Sequence, residues 1–477
     1  MLTILEPKEH IVKLWGKQKI NENGTYRLMK YVLRVDHDGK IILHNVVTGQ
    51  LVILEKNEVR ALESKICSFS RDITELIDAH YLVPENFDEH SIVISLRTIL
   101  RKIEGSKKSK LINAYTILPT TDCNARCYYC FEQGARRETM SEETAADIVE
   151  FISNHCDINK SVRLSWFGGE PTLAAVRISQ ICRGLKEKSI HYFSDMTTNG
   201  YLLRDNMVEK AVGLWNLQSV MICFDGTETT YNKVKGIRVN KGSPYTQVLN
   251  NIGVLLDNQI NVQIRMNFDL GNYREFENLI QEISSRFKDR SHLIVTAHPI
   301  NGAYVDQDGN LLHGSPEWFD KTVILLQSMS REEGLLTVSD DLPCLRFQDC
   351  EAASDSAVTI TPRGMLVSCP EQFGDDEIKG NVRDGITNQE LVCSWKNLAD
   401  FPKCAKCSLF PYCIRFEKCS VKEMCYYQSE LIEAAKLSIL KCYKKWLTTE
   451  NDKGGNNNEI SGTQGGVCGD RFDQYYC

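Results

Sequence analysis

Between residues 122 and 131 the chain reads DCNARCYYCF, which places Cys123, Cys127 and Cys130 in the order C-x3-C-x2-C. Closely spaced thiolates are ligands for soft metals, and a four-iron iron–sulfur cluster is normally held by one thiolate per iron. Three thiolates leave one iron with open coordination positions, and an open position on a metal is where a ligand is bound and transformed. Tyr129, just before the third cysteine, supplies a ring beside such a cluster. A second field of cysteines follows far downstream: Cys344, Cys350 and Cys369, then Cys404, Cys407, Cys413, Cys419, Cys425 and Cys442. Taken alone, the three-cysteine motif also fits zinc or a structural cluster, and the CAKC piece (404–407) of the second field a zinc knuckle.

Nineteen cysteines in 477 residues are unusual, and only Cys67 precedes position 120. The start, MLTILEPKEHIVKLWGKQ, has neither an apolar signal core nor a small-residue cleavage site. In a chain read as cytoplasmic, this cysteine usage points to metal or redox chemistry rather than a disulfide framework. The net charge of −7 gives no basic footprint for nucleic acid, and no apolar run nears the length needed to span a bilayer. The length predicts two or three domains.

These ligands need elements to position them. Residues 31–54 alternate β-formers around two turns, Asp38-Gly39 and Thr48-Gly49, as a small meander does. KNEVRALESKI (56–66) and RDITELIDAHYLV (71–83) read as short amphipathic helices, and RKIEGSKKSK (101–110) as a linker. From 111 the pattern changes to apolar strands at AYTILPT, VRLSWF, IHYFSDMTT, SVMICF, INVQIRMNF and HLIVTAHP, with helices between them. One such helix is SEETAADIVEFISNH, where Ala145, Ile148, Val149 and Ile152 share a face. Six strands alternating with helices predict an α/β fold with a parallel sheet, open or curled into a partial barrel. Ligands of such sheets sit at the carboxyl ends of the strands, where the three-cysteine loop lies. Residues 336–447 are rich in cysteine and poor in long periodic elements, and 448–477 form a tail too polar to fold.

The motif C-x3-C-x-aromatic-C resembles the signature of the radical S-adenosylmethionine (SAM) superfamily. Its later elements have counterparts in order: Gly168-Gly169-Glu170-Pro171 resembles the GGEP segment that contacts the SAM amino group, and MTTNG, with Thr198 and Asn199, resembles the third-strand element. ICFDG, with Asp225, resembles the fourth, although Cys223 stands where this branch often has Ser. The resemblance implies a partial (β/α)6 barrel in which SAM chelates the open iron and is cleaved by one electron to a 5′-deoxyadenosyl radical that abstracts a substrate hydrogen. Lys235 or Arg265 would take the SAM carboxylate.

The second field resembles the SPASM extension of that superfamily, which carries two auxiliary clusters. By that resemblance Cys344, Cys350, Cys369 and Cys419 hold one cluster, and Cys404, Cys407, Cys413 and Cys442 the other. Five residues separate Cys413 from Cys419 where the family usually has three, so Cys425 can replace either late ligand. Three [4Fe-4S] clusters are thereby expected, reduced by a donor such as flavodoxin or ferredoxin. Cys67, Cys156, Cys182, Cys223 and Cys393 are expected as buried small hydrophobes.

The expected domains are 1–110, 111–335, 336–447 and the tail. The first, with hairpin strands followed by helices, resembles the winged-helix-like peptide-recognition element of natural-product maturases. The implied function is maturation of a ribosomally made precursor peptide, bound through its leader, by hydrogen abstraction and thioether or carbon–carbon crosslinking. The alternative in the same class is oxidation of a Cys or Ser in a protein partner, as in sulfatase maturation. Those relatives carry Asp directly after the ligand at the Cys369 position, whereas this chain has Pro370 and then Glu371, a candidate base. Cys468, Cys477, Tyr475 and Tyr476 make the tail a candidate tethered substrate. The rival of another class is a zinc-stapled binding module without catalysis.

Overall fold

The computed structural model describes residues 1–55, 60–107, 111–204, 206–287, 291–300, 314–337, 342–347, 350–419 and 428–453. The chain divides into two bodies: the described residues of the first lie within 1–107, 339–348 and 398–477, and those of the second within 108–338 and 349–397. The cysteine-rich segment is thus shared between them.

The second body contains strands at each of the six expected places: Ala114–Thr120, Val162–Gly168, Tyr192–Thr198, Leu217–Phe224, Asn261–Phe268 and Leu293–Pro299. Each pairs in parallel with its predecessor in sequence. Because the order never reverses, right-handed crossovers put the connecting helices on one face, and the sheet curls around the other. The arrangement is therefore a partial barrel, which decides between the two sheet forms the sequence allows. Closure is prevented at the first strand, whose second edge pairs with Ala357–Ile360 and leads to three short antiparallel strands.

Side-chain alternation divides the two faces. Val162, Leu164 and Trp166 of the second strand are buried, whereas Arg163 and Ser165 face the inner side and bind Asp195 of the third, at 3.0 and 3.1 Å. Arg163 also pairs with Glu351 at 2.7 Å. A charged inner face departs from the apolar filling of an ordinary parallel barrel and suits a polar ligand. The helix Glu142–His155 is capped by Ser141, whose Oγ accepts from the Thr144 N–H at 3.0 Å, and buries the expected face of Ala145, Ile148, Val149 and Ile152.

In the first body, strands Leu2–Leu5, Leu51–Glu55, Lys40–Asn45 and Val32–His37 form an antiparallel sheet in that order, and Cys67–Ser68, Thr25–Leu28 and Leu82–Pro84 form a second. The expected hairpin closes at Asp38-Gly39 with φ of 48° and 74°, the left-handed pair that a two-residue turn requires. Two local expectations are corrected. Arg60–Glu63 form only a single 3-10 turn, and Arg101–Lys107, read as linker, are the end of the helix Glu89–Lys107. Buried Val93, Leu96 and Leu100 sit at i, i+3 and i+7, so the apolar stripe anchors a helix that its charged residues then continue. The helix Gln428–Lys453 packs Ala435, Ile439 and Tyr443 into the same core, and it corrects the expectation for 448–453, read as the start of an unfolded tail, because the helix continues past its packed stripe.

His44 lies wholly within this core, its Nε2 donating to the Pro343 carbonyl at 2.7 Å. Burial pushes its pKa down to about 4 from an ordinary 6.5. Between these values the unfolded chain holds a proton that the folded body refuses, so stability falls as pH drops through that window, by about 3 kcal/mol in all. Urea midpoints compared between the wild type and His44→Gln from pH 7 to pH 4 check this. The wild type should lose more, and parallel losses would contradict the assignment.

Candidate functional site

The site is built where the strands end. The first strand finishes at Thr120 and releases the three-cysteine loop, whose path is fixed at once: the Asp122 N–H donates to Thr120 Oγ1 at 3.0 Å, and the Cys123 N–H to Asp122 Oδ1 at 2.8 Å. The second strand ends in Gly168 and Gly169, which lie against this loop. Gly169 donates its N–H to Thr120 O at 3.1 Å, and Glu170 donates to Asp122 O at 2.9 Å. A Cβ at Gly169 would stand 2.3 Å from Asp122 O, and one at Gly168, where φ is +106°, would stand 2.4 Å from Thr120 O. These glycines let backbone approach backbone, which sets the height of the cysteine loop over the barrel.

Glu170 is 0% exposed. Its Oε1 accepts from the Thr172 N–H at 3.1 Å, from the Thr172 hydroxyl, and from Thr198 Oγ1 at 2.8 Å. Its Oε2 accepts from the Asn199 N–H at 2.8 Å. Burial raises its pKa while these four donors oppose the rise. The carboxylate thus staples the end of the second strand to that of the third, and Pro171 opens the 3-10 turn behind it. Thr198 is consumed in the same staple. Asn199 reaches the loop: its Nδ2 donates to Asn124 Oδ1 at 2.7 Å and lies 4.0 Å from Cys123 Sγ.

The two tyrosines of CYYC tie the loop to the far strands. Tyr128 donates to Asp269 Oδ2 beyond the fifth strand, and Tyr129 donates to Asp225 Oδ1 beyond the fourth. Asn267 Nδ2 donates to the Tyr129 hydroxyl at 3.0 Å, and Asn272 Nδ2 to Asp225 O at 2.9 Å. Lys235 is 3% exposed and pairs with Asp225, itself 0% exposed, at 3.0 Å. Burial alone would discharge Lys235, but Asp225 and then Cys127 overcome it and hold its pKa well above the ordinary lysine value. Tyr128, Asn267, Asp269 and Asn272 are site residues that the sequence reading missed. For the last three the signal was present in NFDLGN (267–272), where Asn and Asp cluster at the end of an apolar strand.

Two cations were candidates for the SAM carboxylate, and they differ. Lys235 is committed to Asp225, whereas Arg265 on the inner face of the fifth strand has a buried Nε without a hydrogen-bond partner among the described residues. Glu371 is exposed to solvent yet flanked by protein: burial pushes its carboxyl up, and Arg265 draws it down. Burial, with Arg265 adding, holds His298 well below the ordinary imidazole value.

Among the described residues no group of three or more His, Cys, Asp or Glu has the geometry to hold one metal ion. Cys123, Cys127 and Cys130 nonetheless act on one another: burial pushes Cys123 up to about 12, and after Glu170 the other two add to the rise. The positive charge of a bound metal is what would ionise such thiols.

Of the second field, Cys350 and Cys369 belong to the second body, and Cys344, Cys404, Cys407, Cys413, Cys419 and Cys442 to the first. The set Cys404, Cys407, Cys413 and Cys442 therefore lies within one body, whereas Cys344, Cys350, Cys369 and Cys419 are divided two and two. Cys425 and the tail residues Cys468, Tyr475, Tyr476 and Cys477 lie outside the described residues. Cys156 and Cys182 are buried as expected, but Cys393 is exposed, because the short helix Gln389–Ser394 turns it outward and buries Trp395 beyond its end. Cys223 is half-buried on the inner face of the fourth strand, and Cys67 is half-buried too.

Residues 117–283, which carry the three-thiol loop after the first strand and the Gly-Gly-Glu staple after the second, match the model of the radical SAM superfamily. Residues 117–283 are a radical SAM domain. The fold extends beyond the match. Native anSMEcpe with bound AdoMet has a TM-score of 0.53 at 15% identity, over 71% of this chain and 99% of that one. Native anSMEcpe with bound AdoMet and Cp18Cys peptide has a TM-score of 0.52 at 15% identity, over the same shares. A curated relative, the probable GTP 3′,8-cyclase of Methanococcus maripaludis, is 30% identical over 93 residues, which is 19% of this chain. The chain spans 30% of the length of that relative. Among the described residues no helix is long and apolar enough to cross a membrane.

Proposed function

We propose that the protein is a radical SAM enzyme that matures a ribosomally synthesised peptide by hydrogen abstraction and oxidative crosslinking, through a thioether or a carbon–carbon bond. The observation that carries the reading is the three-thiol loop pinned over a polar-lined partial barrel, with the unpartnered Nε of Arg265 inside it. When bound, a [4Fe-4S] cluster and SAM supply a 5′-deoxyadenosyl radical able to take a hydrogen atom from an unactivated carbon.

The chain's own residues position that chemistry. Cys123, Cys127 and Cys130 hold the cluster, Arg265 rather than Lys235 takes the SAM carboxylate by a charge-assisted hydrogen bond, and the segment around Glu170 presents backbone to the SAM amino group. Glu371, accessible and raised by burial, takes the proton that a substrate thiol loses on bond formation. A peptide substrate is supported by the fold shared with anSMEcpe, a protein with a bound peptide, and by the small antiparallel sheets of the first body. The cysteines of the second field hold two auxiliary clusters, which would accept the electron that the substrate radical loses on bond formation, and a flavodoxin or ferredoxin supplies the electron that cleaves SAM. The chain's own tail, 448–477, is proposed as a tethered substrate beside a separate precursor peptide.

The test is anaerobic incubation of the iron-loaded protein with SAM and a reductant, followed by mass spectrometry. Deoxyadenosine should form, and a crosslinked peptide, tail or separate precursor, should be lighter by two hydrogens. Deoxyadenosine with an unchanged tail assigns the crosslink to a separate peptide. An iron-loaded protein that yields no deoxyadenosine would overturn the proposal.

A further inference from the structure

Arg97, on the helix Glu89–Lys107, is 3% exposed and serves the loop that carries Cys404, Cys407 and Cys413. Its Nη2 donates to Phe410 O, to Pro411 O at 2.8 Å and to Cys413 O at 2.7 Å, and its Nε donates to Arg346 O at 3.1 Å. The Phe410 ring covers the guanidinium at 4.7 Å. Nearby, Lys30 Nζ donates to Ala405 O, between the first two cysteines, at 2.8 Å. Four carbonyls bring four dipoles and no net charge, and no carboxylate pairs with Arg97 among the described residues.

A guanidinium does not shed its proton at neutral pH, and a buried charge without a counter-charge costs several kcal/mol. The acidic groups that act on Arg97 are Cys413, Tyr31 and Cys404. As neutral thiols and a phenol they offset nothing. As thiolates on a cluster, Cys413 and Cys404 belong to a net anionic group, which is what the buried cation lacks.

We propose that Arg97 is the counter-charge of an iron–sulfur cluster held by Cys404, Cys407, Cys413 and Cys442, and that it raises the reduction potential of that cluster. The inference rests on the auxiliary-cluster reading above. Reduction adds an electron to an already anionic group, so a fixed cation beside it favours the reduced state. Arg97 acts as a positioning and tuning residue, holding the loop by its fork and the potential by its charge.

The test uses full-length protein in which Cys123, Cys127 and Cys130 are all replaced by Ala, so that only auxiliary iron remains. Iron and sulfide content are measured, and an EPR-monitored redox titration is run with Arg97 intact and as Arg97→Lys, Arg97→Gln and Arg97→Met. Arg97→Lys should titrate near the parent. Both neutral variants should need a more negative potential, with the ratio of reduced to oxidised cluster at the parent midpoint falling about tenfold, a shift of about 59 mV for one electron. Loss of iron from both neutral variants with retention in Arg97→Lys supports the same dependence on charge, expressed in assembly. Iron-loaded neutral variants that titrate with the parent overturn the inference and leave the cluster reading intact. A parent without iron overturns both.

Discussion

Gly169→Ala should lower the occupancy of the cluster of the three-cysteine loop and slow SAM cleavage by about 100-fold, the scale expected when reacting groups are displaced by about 1 Å. A Cβ at this position meets Asp122 O at 2.3 Å, Asp122 C at 2.7 Å and Thr121 C at 2.8 Å. All three are backbone atoms, so no side chain can swing away to make room. Relief requires the strand end and the loop to part, which weakens the bonds from Gly169 N to Thr120 O and from Glu170 N to Asp122 O. Asp122 in turn holds the Cys123 N–H, so the displacement passes directly to the first thiol. Overpacking of this kind costs about 1–3 kcal/mol, which the barrel should survive. The discriminating measurement is therefore iron per soluble chain together with the rate of deoxyadenosine formation. A soluble variant with full iron and an unchanged rate would show that the contact does not set the loop.

Asp225→Asn should destabilise the second body by about 3–5 kcal/mol, the cost of stranding one partner of a buried pair. Lys235 is 3% exposed and Asp225 0%, and they meet at 3.0 Å, so water cannot replace the lost charge. Asparagine would still accept a hydrogen bond from Tyr129, which confines the loss to electrostatics. The double variant Asp225→Asn with Lys235→Met removes the stranded charge and should recover most of the stability, since apolar replacement of a buried pair is often neutral. Denaturant titration of the four chains in the cycle decides the matter. Additive losses would mean that the pair is not coupled and that the geometry is misread.

Both predictions concern contacts that connect strand ends distant in sequence, and this separates what the chain states locally from what folding adds. The six barrel strands were legible because each is a short apolar run between helical stretches, and the hairpin at Asp38-Gly39 because its turn needs left-handed residues. The end of the helix Glu89–Lys107 was not, because lysine, arginine and glutamate suit a linker and an exposed helical turn equally. Cys393 was misplaced because a lone cysteine carries no periodicity from which its side of a short helix can be read.

The same division runs through the site. The proposed ligand set Cys123, Cys127 and Cys130 was legible in the sequence alone, since cluster binding by one loop depends on residue type and spacing within a few residues. The partners of Glu170, Lys235 and Arg265 were set only in three dimensions. As side chains, Glu170 and Lys235 are both charged groups suited to a ligand, but folding gives each a partner: Thr172, Thr198 and Asn199 for the first, Asp225 for the second. Arg265 keeps an unpartnered Nε. Which charge is consumed and which remains for a ligand depends on what the ends of neighbouring strands bring to it, and that is a property of the assembled sheet.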